Sequence, residues 1–561
     1  MAMFQSQQVD QTTPTVTVAQ DGSGDYHGST GDVIQEAIDS LGSGGGWVFI
    51  KPGTYNVSTT ITVPSEYVTL EGVYGATSLI QVGDVTMFEV TGANFKGLNL
   101  VVDTDGSVGG SSYCWDIHSD YGEISSCVLL DTVGHGFKLR MDYGSVTNCS
   151  SYASQGLGFH VHNTTQAILS NCRASGCGSD GFWLEDCNGV SLAGCDSRLN
   201  GGRGVYVDVC NNNSSMTRCY IYGNTGKGVL VENSYYFGIE NSTILDNGDT
   251  GVYIDTCYIL TISTSTIDGV DYDSLHIVDS YDLVILGNLL LGNKDNLTVS
   301  NTYGVVVEGN VVISILNNGV VMNDVGGGTS QVIINGNVIS SSKDSINLSN
   351  SEAIISNNTV IPTTGYGVYA SSLNHIISNN RFYGGGSVPV ISLVSCYENE
   401  IVGNHIYGDS TACPQLVKLD ASHNNIINSN QILSFGLGGL YASSCTKLNI
   451  GGNNFRSLGF NKNGLYLEDC YTCNITSNQF YFTGGTGVST GTAAIRLSDS
   501  SYNVVSGNNL EKAGGTVTYG YYEHGSSDYN LVGNNISRAG FGTNYFVGGS
   551  NTVVGVNGDF A

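Results

Sequence analysis

Positive charge is scarce in this 561-residue sequence, which has 19 Lys and Arg against 48 Asp and Glu and a net charge of −29. So acidic a surface repels phosphate backbones and anionic lipids, which excludes nucleic-acid binding. It also disfavours a purely polyanionic glycan unless cations bridge. Only 6 residues are Pro, and long amphipathic helical patterns are nearly absent. No run approaches about 18 apolar residues, so no membrane-spanning helix is expected. The opening "MAMFQSQQVDQ" has no basic region followed by an apolar one, so a removed leader is not expected. Synthesis in a reducing cytosol follows as the expectation, and the 15 Cys then read as free thiols.

Glycine is abundant instead, at 77 residues, and 40% of the chain is hydrophobic. Short apolar pieces alternate with Gly, Asn, Ser and Asp, the pattern of short strands joined by turns. A unit recurs. "GFWLEDCNGVSLAGCDSRLNGGR" (residues 181–203) is preceded by "GFHVHNTTQAILSNCRASGCGSD" and followed by "GVYVDVCNNNSSMTRCYIYGNTGK". The leading glycines Gly136, Gly158, Gly181, Gly204, Gly228 and Gly251 lie 22, 23, 23, 24 and 23 residues apart. Within each unit apolar residues alternate with others, as Phe182 and Leu184 do with Trp183 and Glu185. A period of about 22–26 with two or three strands per unit predicts an all-β solenoid, a single-stranded parallel β-helix of about twenty coils. At about 4.8 Å per coil it would form a rod on the order of 95 Å long.

Aligned coils arrange the cysteines in columns. One column runs Cys127, Cys149, Cys172, Cys195, Cys219, then Ser242 and Ser265, then Asn from Asn288 through Asn508 to Asn534. A second takes Ser119, Asp142, Thr164, Cys187, Cys210, Ser234 and Cys257, and later Cys396, Cys445 and Cys470. Residues that replace one another along a stack share a structural task, here packing or hydrogen bonding at a corner. Cysteines in a line do not converge on a point as a metal site requires, so no metal site is expected among them.

The N-terminal segment differs. Residues 1–14 read as a polar arm, a possible docking segment, and residues 15–60 as a cap, with the β-helix occupying 61–561. "STGDVIQEAIDSLGSG" predicts a helix over about residues 30–41, capped by Ser29 or Thr30 and followed by Gly42. Its apolar face of Val33, Ile34, Ala37, Ile38 and Leu41 would cover the open end of the first coil. "VAQDGSGDYHG" and "IQEAIDSLGSGGGWVFIKPGTY" resemble the N-terminal cap of the pectin-lyase-like superfamily of right-handed parallel β-helices, and the Asn column resembles that fold's asparagine ladder. The superfamily includes pectate and pectin lyases, polygalacturonases, pectin methylesterases and virus tailspikes, so the resemblance implies the fold and leaves the activity open. "GHGFKLR" (residues 135–140 with Gly134) shares letters with polygalacturonase elements that lie on separate coils in that family.

Strand residues facing away from the core form two further columns. One is largely aromatic: His160, Trp183, Tyr206 and Tyr253. Beside it run Arg140, His162, Glu185, Asp208, Glu232 and Asp255. Rings next to carboxylates suit sugars, with ring faces on the apolar faces of pyranoses and carboxylates accepting hydroxyl hydrogens. The expected glycan-binding residues are therefore His160, His162, Trp183, Tyr206, Tyr253 and Asp255. A catalytic set would be Glu185 with Asp208 or Glu232, because glycoside hydrolysis needs an acid and a carboxylate facing one bond. No cofactor is expected, although repulsion along the acidic column would be relieved by a divalent cation such as Ca²⁺. The expected function is a virion-associated spike or tail-fibre-like protein, made in a host cytoplasm. It would recognise a host cell-surface polysaccharide or glycoprotein, contact other virion proteins through the N-terminal arm, and suit a homotrimer. The alternatives are an extracellular polysaccharide lyase or glycoside hydrolase, and a ligand-free structural surface rod.

Overall fold

The computed structural model describes all residues except 1–13, 105–109, 111, 326–331, 372–373, 385, 409–413, 435–437, 458–462, 484–491, 514–516, 539–540, 542, 556–557 and 561. The docking-arm expectation therefore lies almost wholly outside the described residues. The chain divides into two compact units, Met1–Val270 and Asp271–Ala561.

The first unit begins with a strand at Thr15–Ala19 and the helix α1, Gly31–Ser40. Thr30 is its N-cap in extended conformation, and Asp32 lies in its first turn, where a negative charge favours the helix dipole. Ile34, Ala37 and Ile38 are buried, and Gly42 follows with φ 62°. That left-handed conformation suits Gly just past a helix end. Beyond α1 every regular coil contributes three strands, each to one of three parallel sheets. Strand residues pair in strict register from coil to coil, as Phe159↔Phe182 and Phe182↔Val205 do. Because side chains alternate, each strand sends one set inward.

The core is built from these inward residues. Phe88, Trp115, Phe137, Phe159 and Phe182 are fully buried and form one continuous column of rings. Successive centroids are 4.7, 5.7, 4.8 and 4.9 Å apart. The column then narrows to Val205, Val229 and Val252.

Corners hold the second structural device. Cys187 Sγ donates to the Val161 carbonyl of the preceding coil at 3.4 Å, and Cys195 Sγ donates likewise to Leu169 at 3.4 Å. Where serine takes over, the Cys219 amide donates to Ser242 Oγ and the Ser242 amide to Ser265 Oγ, each at 3.1 Å. The second unit repeats the three-sheet coil and carries the asparagine version. There Asn288, Asn310, Asn337, Asn358, Asn380, Asn404, Asn430, Asn453, Asn478 and Asn508 are buried. The fourteen described cysteines are all buried. Cys470 and Cys473 stand on two different ladders, their amides donating to Ser500 Oγ and Asn503 Oδ1.

Two column assignments shift by one residue. Asn508 Nδ2 donates to Asn535, not Asn534. Asn534 takes the corner conformation just before the ladder position, with φ 55°, as Asn379 does before Asn380 with φ 57°. In the second column the buried member is Met141, whose amide donates to Thr164 Oγ1, and Asp142 lies one step beyond it.

Candidate functional site

The predicted residues fall on one sheet of the first unit, on strands β1 (Tyr113–His118), β2 (His135–Arg140), β3 (Phe159–His162), β4 (Phe182–Glu185), β5 (Val205–Asp208), β6 (Val229–Glu232) and β7 (Val252–Asp255). Register defines two outward columns. Asp116, Lys138, His160, Trp183, Tyr206, Leu230 and Tyr253 form one. His118, Arg140, His162, Glu185, Asp208, Glu232 and Asp255 form the other, which holds the six residues of the sequence column from Arg140 onward and adds His118.

The aromatic column is not an exposed platform. His160 is 6% exposed, and its ring stacks on Trp183 at 4.5 Å with 10° between planes. Trp183 in turn stacks on Tyr206 at 5.7 Å and 19°. The Arg203 guanidinium lies 3.6 Å from the Tyr206 ring centroid. Rings at coil spacing cover one another's faces, so the row offers edges and polar atoms to a ligand rather than flat faces. Buried Leu230 interrupts the row before Tyr253, over which the Lys227 ammonium sits at 4.9 Å.

Each carboxylate has its own local partner. Glu232 Oε2 accepts from the Tyr206 hydroxyl at 2.9 Å, and Asp208 Oδ1 accepts from Asn233 Nδ2 at 3.2 Å. Asp255 Oδ1 accepts from the Thr256 hydroxyl at 2.9 Å. Burial, and the hydrogen bond to Glu232, push the Tyr206 phenol well above its ordinary range. Glu185 is the most engaged. Its Oε2 lies 2.9 Å from His160 Nε2 in a hydrogen bond, and 2.8 Å from His162 Nδ1. The second approach is off the line of a hydrogen bond, and His162 Nδ1 is a buried atom with no hydrogen-bond partner. His160, His162 and Glu185 thus bring three potential ligand atoms within 4.8 Å of one another.

The structure adds residues that the sequence columns missed. The Tyr113 hydroxyl lies 2.8 Å from His160 Nδ1, and its ring stacks on His135 at 4.6 Å. With Nε2–H donating to Glu185, Nδ1 accepts from Tyr113, giving a chain Tyr113–His160–Glu185 across four coils. Burial, and then the charges of Asp116 and Glu185, push the Tyr113 phenol up to about 12. Burial also lowers His160 below the ordinary imidazole value, against the opposing pull of Glu185. Asp116 bridges His118 at 2.9 Å and Lys138 at 3.3 Å. The Lys138 ammonium lies 5.0 Å from the Tyr113 ring centroid. Beside this corner His118, Asp120, Arg140, Asp142 and Asn163 line a depression of about 300 Å³. The signal for these residues was "YCWDIH" on β1, which continues both outward columns one coil earlier.

A model of the "right handed beta helix region" family matches residues 107–237, 210–360 and 344–494. Some solved structures are similar to the chain at low identity. The A-module of the mannuronan C-5 epimerase AlgE4 of Azotobacter vinelandii is 18% identical, covering 56% of this chain and 94% of that chain, with a TM-score of 0.40. The Dettilon tailspike protein is 13% identical over 52% of this chain and 64% of its own, with a TM-score of 0.41. A pectate lyase is 18% identical over 53% of this chain and 79% of its own, with a TM-score of 0.34. No curated protein matches the sequence. The family match spans most of the coils whose strands and ladders are described above, and the chain belongs to the right-handed parallel β-helix family.

Proposed function

We propose that the outward face of β1–β5 engages an extended polysaccharide and carries out proton transfer on a uronate residue of it. One observation carries the reading: along β1 and β2 the Tyr113 phenol, Lys138, Asp116 and His118 follow one another, Lys138 over the Tyr113 ring and Asp116 between Lys138 and His118, and the His118 and Arg140 end opens on a depression that a sugar can enter. Removing the proton next to a sugar carboxylate requires a cation to stabilise the developing charge, a base and an acid. Lys138 and Arg140 supply the cations, His118 the base and Tyr113 the acid. Screening in physiological salt reduces distant charges beyond about 8 Å, so the local balance decides, and there Lys138 and Arg140 stand against Asp116, Asp120 and Asp142. Glu185, Asp208 and Tyr206 continue the face as hydrogen-bonding partners for sugar hydroxyls.

Glycoside hydrolysis by Glu185 with Asp208 or Glu232 is the second chemistry this face admits, since these residues follow one another coil by coil. The sharing of Glu185 Oε2 by two imidazoles favours a positioning role for it. In a virion spike the same face would bind a host-surface glycan, with or without turnover.

The test is a panel of uronate-containing and neutral polysaccharides. Unsaturated products are read by ultraviolet absorbance, proton exchange at C5 by NMR in D2O, and cleavage by chromatography. The expected result is exchange or elimination on a uronate polymer, reduced at least a hundredfold by Tyr113→Phe, His118→Gln or Lys138→Ala. Cleavage of a neutral polymer abolished by Glu185→Gln would replace this reading with hydrolysis. Binding without turnover would leave recognition alone.

A further inference from the structure

We propose that His160, His162 and Glu185 form a binding site for one divalent first-row transition ion, independent of which polysaccharide reaction the face performs. His160 and His162 leave the same strand on the same side, two residues apart, and Glu185 is the register partner of His162 on the next coil. Both imidazoles direct a nitrogen at one carboxylate oxygen, at 2.9 Å from His160 Nε2 and 2.8 Å from His162 Nδ1. At metal–ligand distances of about 2.0–2.2 Å, Glu185 Oε2 and either nitrogen subtend about 90° at an ion, as adjacent positions of an octahedron do, and all three atoms lie within 4.8 Å of one another. Widening toward a tetrahedron needs about 0.5 Å of movement by the Glu185 carboxylate, which is on a flexible side chain.

A second observation concerns how these atoms meet. The His162 Nδ1 atom is buried, although its side chain is 28% exposed, and its 2.8 Å approach to Glu185 Oε2 lacks hydrogen-bond geometry. Two nitrogens thus crowd one carboxylate oxygen and only that of His160 hydrogen-bonds to it, an arrangement that an ion between the three would satisfy. The surroundings suit a ligand set. The other nitrogen of His160, Nδ1, faces the Tyr113 hydroxyl at 2.8 Å, an outer partner that holds the ring and can accept from Nδ1–H once Nε2 binds an ion. Trp183 stacks on the His160 ring at 4.5 Å and prevents it from rotating away. An ion would take the place of the proton now shared between His160 Nε2 and Glu185, and the His160 Nδ1–H would then donate to Tyr113.

Two imidazoles and a single carboxylate select the ion class. Zn²⁺, Co²⁺, Ni²⁺ and Fe²⁺ accept nitrogen donors, whereas Ca²⁺ and Mg²⁺ require mostly oxygen. Three protein ligands leave further positions open on the solvent side, beside the column of sugar-facing groups. The carboxylate or hydroxyls of a bound sugar fit such open positions.

The experiment uses the full-length, untagged protein after chelator treatment, titrated with Zn²⁺ by calorimetry and with Co²⁺ by visible absorption. The expected result is one ion per chain, with Co²⁺ bands that Zn²⁺ displaces. Ca²⁺ in hundredfold excess should leave the bands unchanged. His162→Gln and Glu185→Gln should each weaken Zn²⁺ at least tenfold with unchanged far-UV circular dichroism. Tyr113→Phe, which alters only the outer partner, should weaken it about 10–100-fold or less. The proposal is overturned if wild type binds no Zn²⁺ at one per chain, or if both outward variants bind it as wild type does. Loss of ion binding with retained polysaccharide turnover would leave the proton-transfer reading standing, and the reverse result would remove that reading alone.

Discussion

Replacing Asn404 by Ala measures what one rung of the asparagine ladder contributes. Its Oδ1 accepts from the Asn380 amide at 2.9 Å and from Asn380 Nδ2 at 3.0 Å. Its Nδ2 donates to Ile377 O at 2.7 Å, to Val402 O at 3.3 Å and to Asn430 Oδ1 at 3.0 Å. All of this is dry, because Asn404 is fully buried and Asn380 and Asn430 are each 1% exposed. The alanine leaves the Asn380 amide without that acceptor, at about 1–3 kcal/mol, and removes further hydrogen bonds worth about 1 kcal/mol each net. The expected cost is about 4 kcal/mol, which corresponds to roughly a thousandfold in a local opening equilibrium. Hydrogen–deuterium exchange on the peptide containing Asn380 reads that opening directly. Asn449→Ala, at an exposed strand position, is the control and should cost at most about 0.5 kcal/mol. If the two variants exchange alike at Asn380, the ladder does not hold the coils together and the reasoning fails.

Cys187→Ala should cost about 1 kcal/mol and Cys187→Ser less, because a hydroxyl can reach the same Val161 and Glu185 carbonyls now contacted at 3.4 and 3.3 Å; chemical denaturation with matched slopes checks this. Native protein should leave the fourteen described thiols unreactive to a thiol reagent until denaturant is added, and rapid labelling of them in the native state would contradict their burial. Burial holds His160 and His135 below the ordinary imidazole value, so the stabilisation from keeping them neutral is complete above about pH 6.5 and is lost as pH falls through their folded values. Melting temperatures should therefore fall between pH 7.5 and 5 with part of the fall removed in His160→Gln, and an unchanged fall in that variant would refute the assignment. Arg203→Ala strips Asp180, whose side chain is 7% exposed, of contacts at 2.9 and 3.1 Å; with Arg203 itself 31% exposed, the expected loss is about 2 kcal/mol by thermal or chemical unfolding.

The coil was legible because its two periods are both carried by residue type. Alternation of two marks the strand face, and the return of Gly every 22–24 residues marks the coil. Chemical equivalence along the ladders was legible for the same reason. Cys, Ser and Asn each place a polar atom against a backbone group of the preceding coil. The errors at Asp142 and Asn534 arose where counting from a glycine ignored which residue turns the corner. In "GNN" both asparagines satisfy the pattern, and only the left-handed φ of 55° at Asn534 assigns Asn535 to the ladder.

The site was less legible, because columns predict who is adjacent but not what a ring does with its faces. His160, Trp183 and Tyr206 were placed correctly as neighbours, and that very adjacency closes them to stacking with a sugar. The Tyr113 hydroxyl reaches past β2 to His160 on β3, a distance that no single-coil comparison suggests. The same stacking explains why the chemistry collects at one end of the face. Toward β7 the outward groups are Leu230 and carboxylates with hydroxyl, amide or lysine partners nearby. From β1 to β4 the column changes to Asp116, Lys138 and His160, charged or titratable groups that neighbouring rings hold in fixed orientations. Regular coils supply the rigidity, and the few coils whose outward residues depart from the repeat hold the phenol, the imidazoles and the cations at fixed distances from one another.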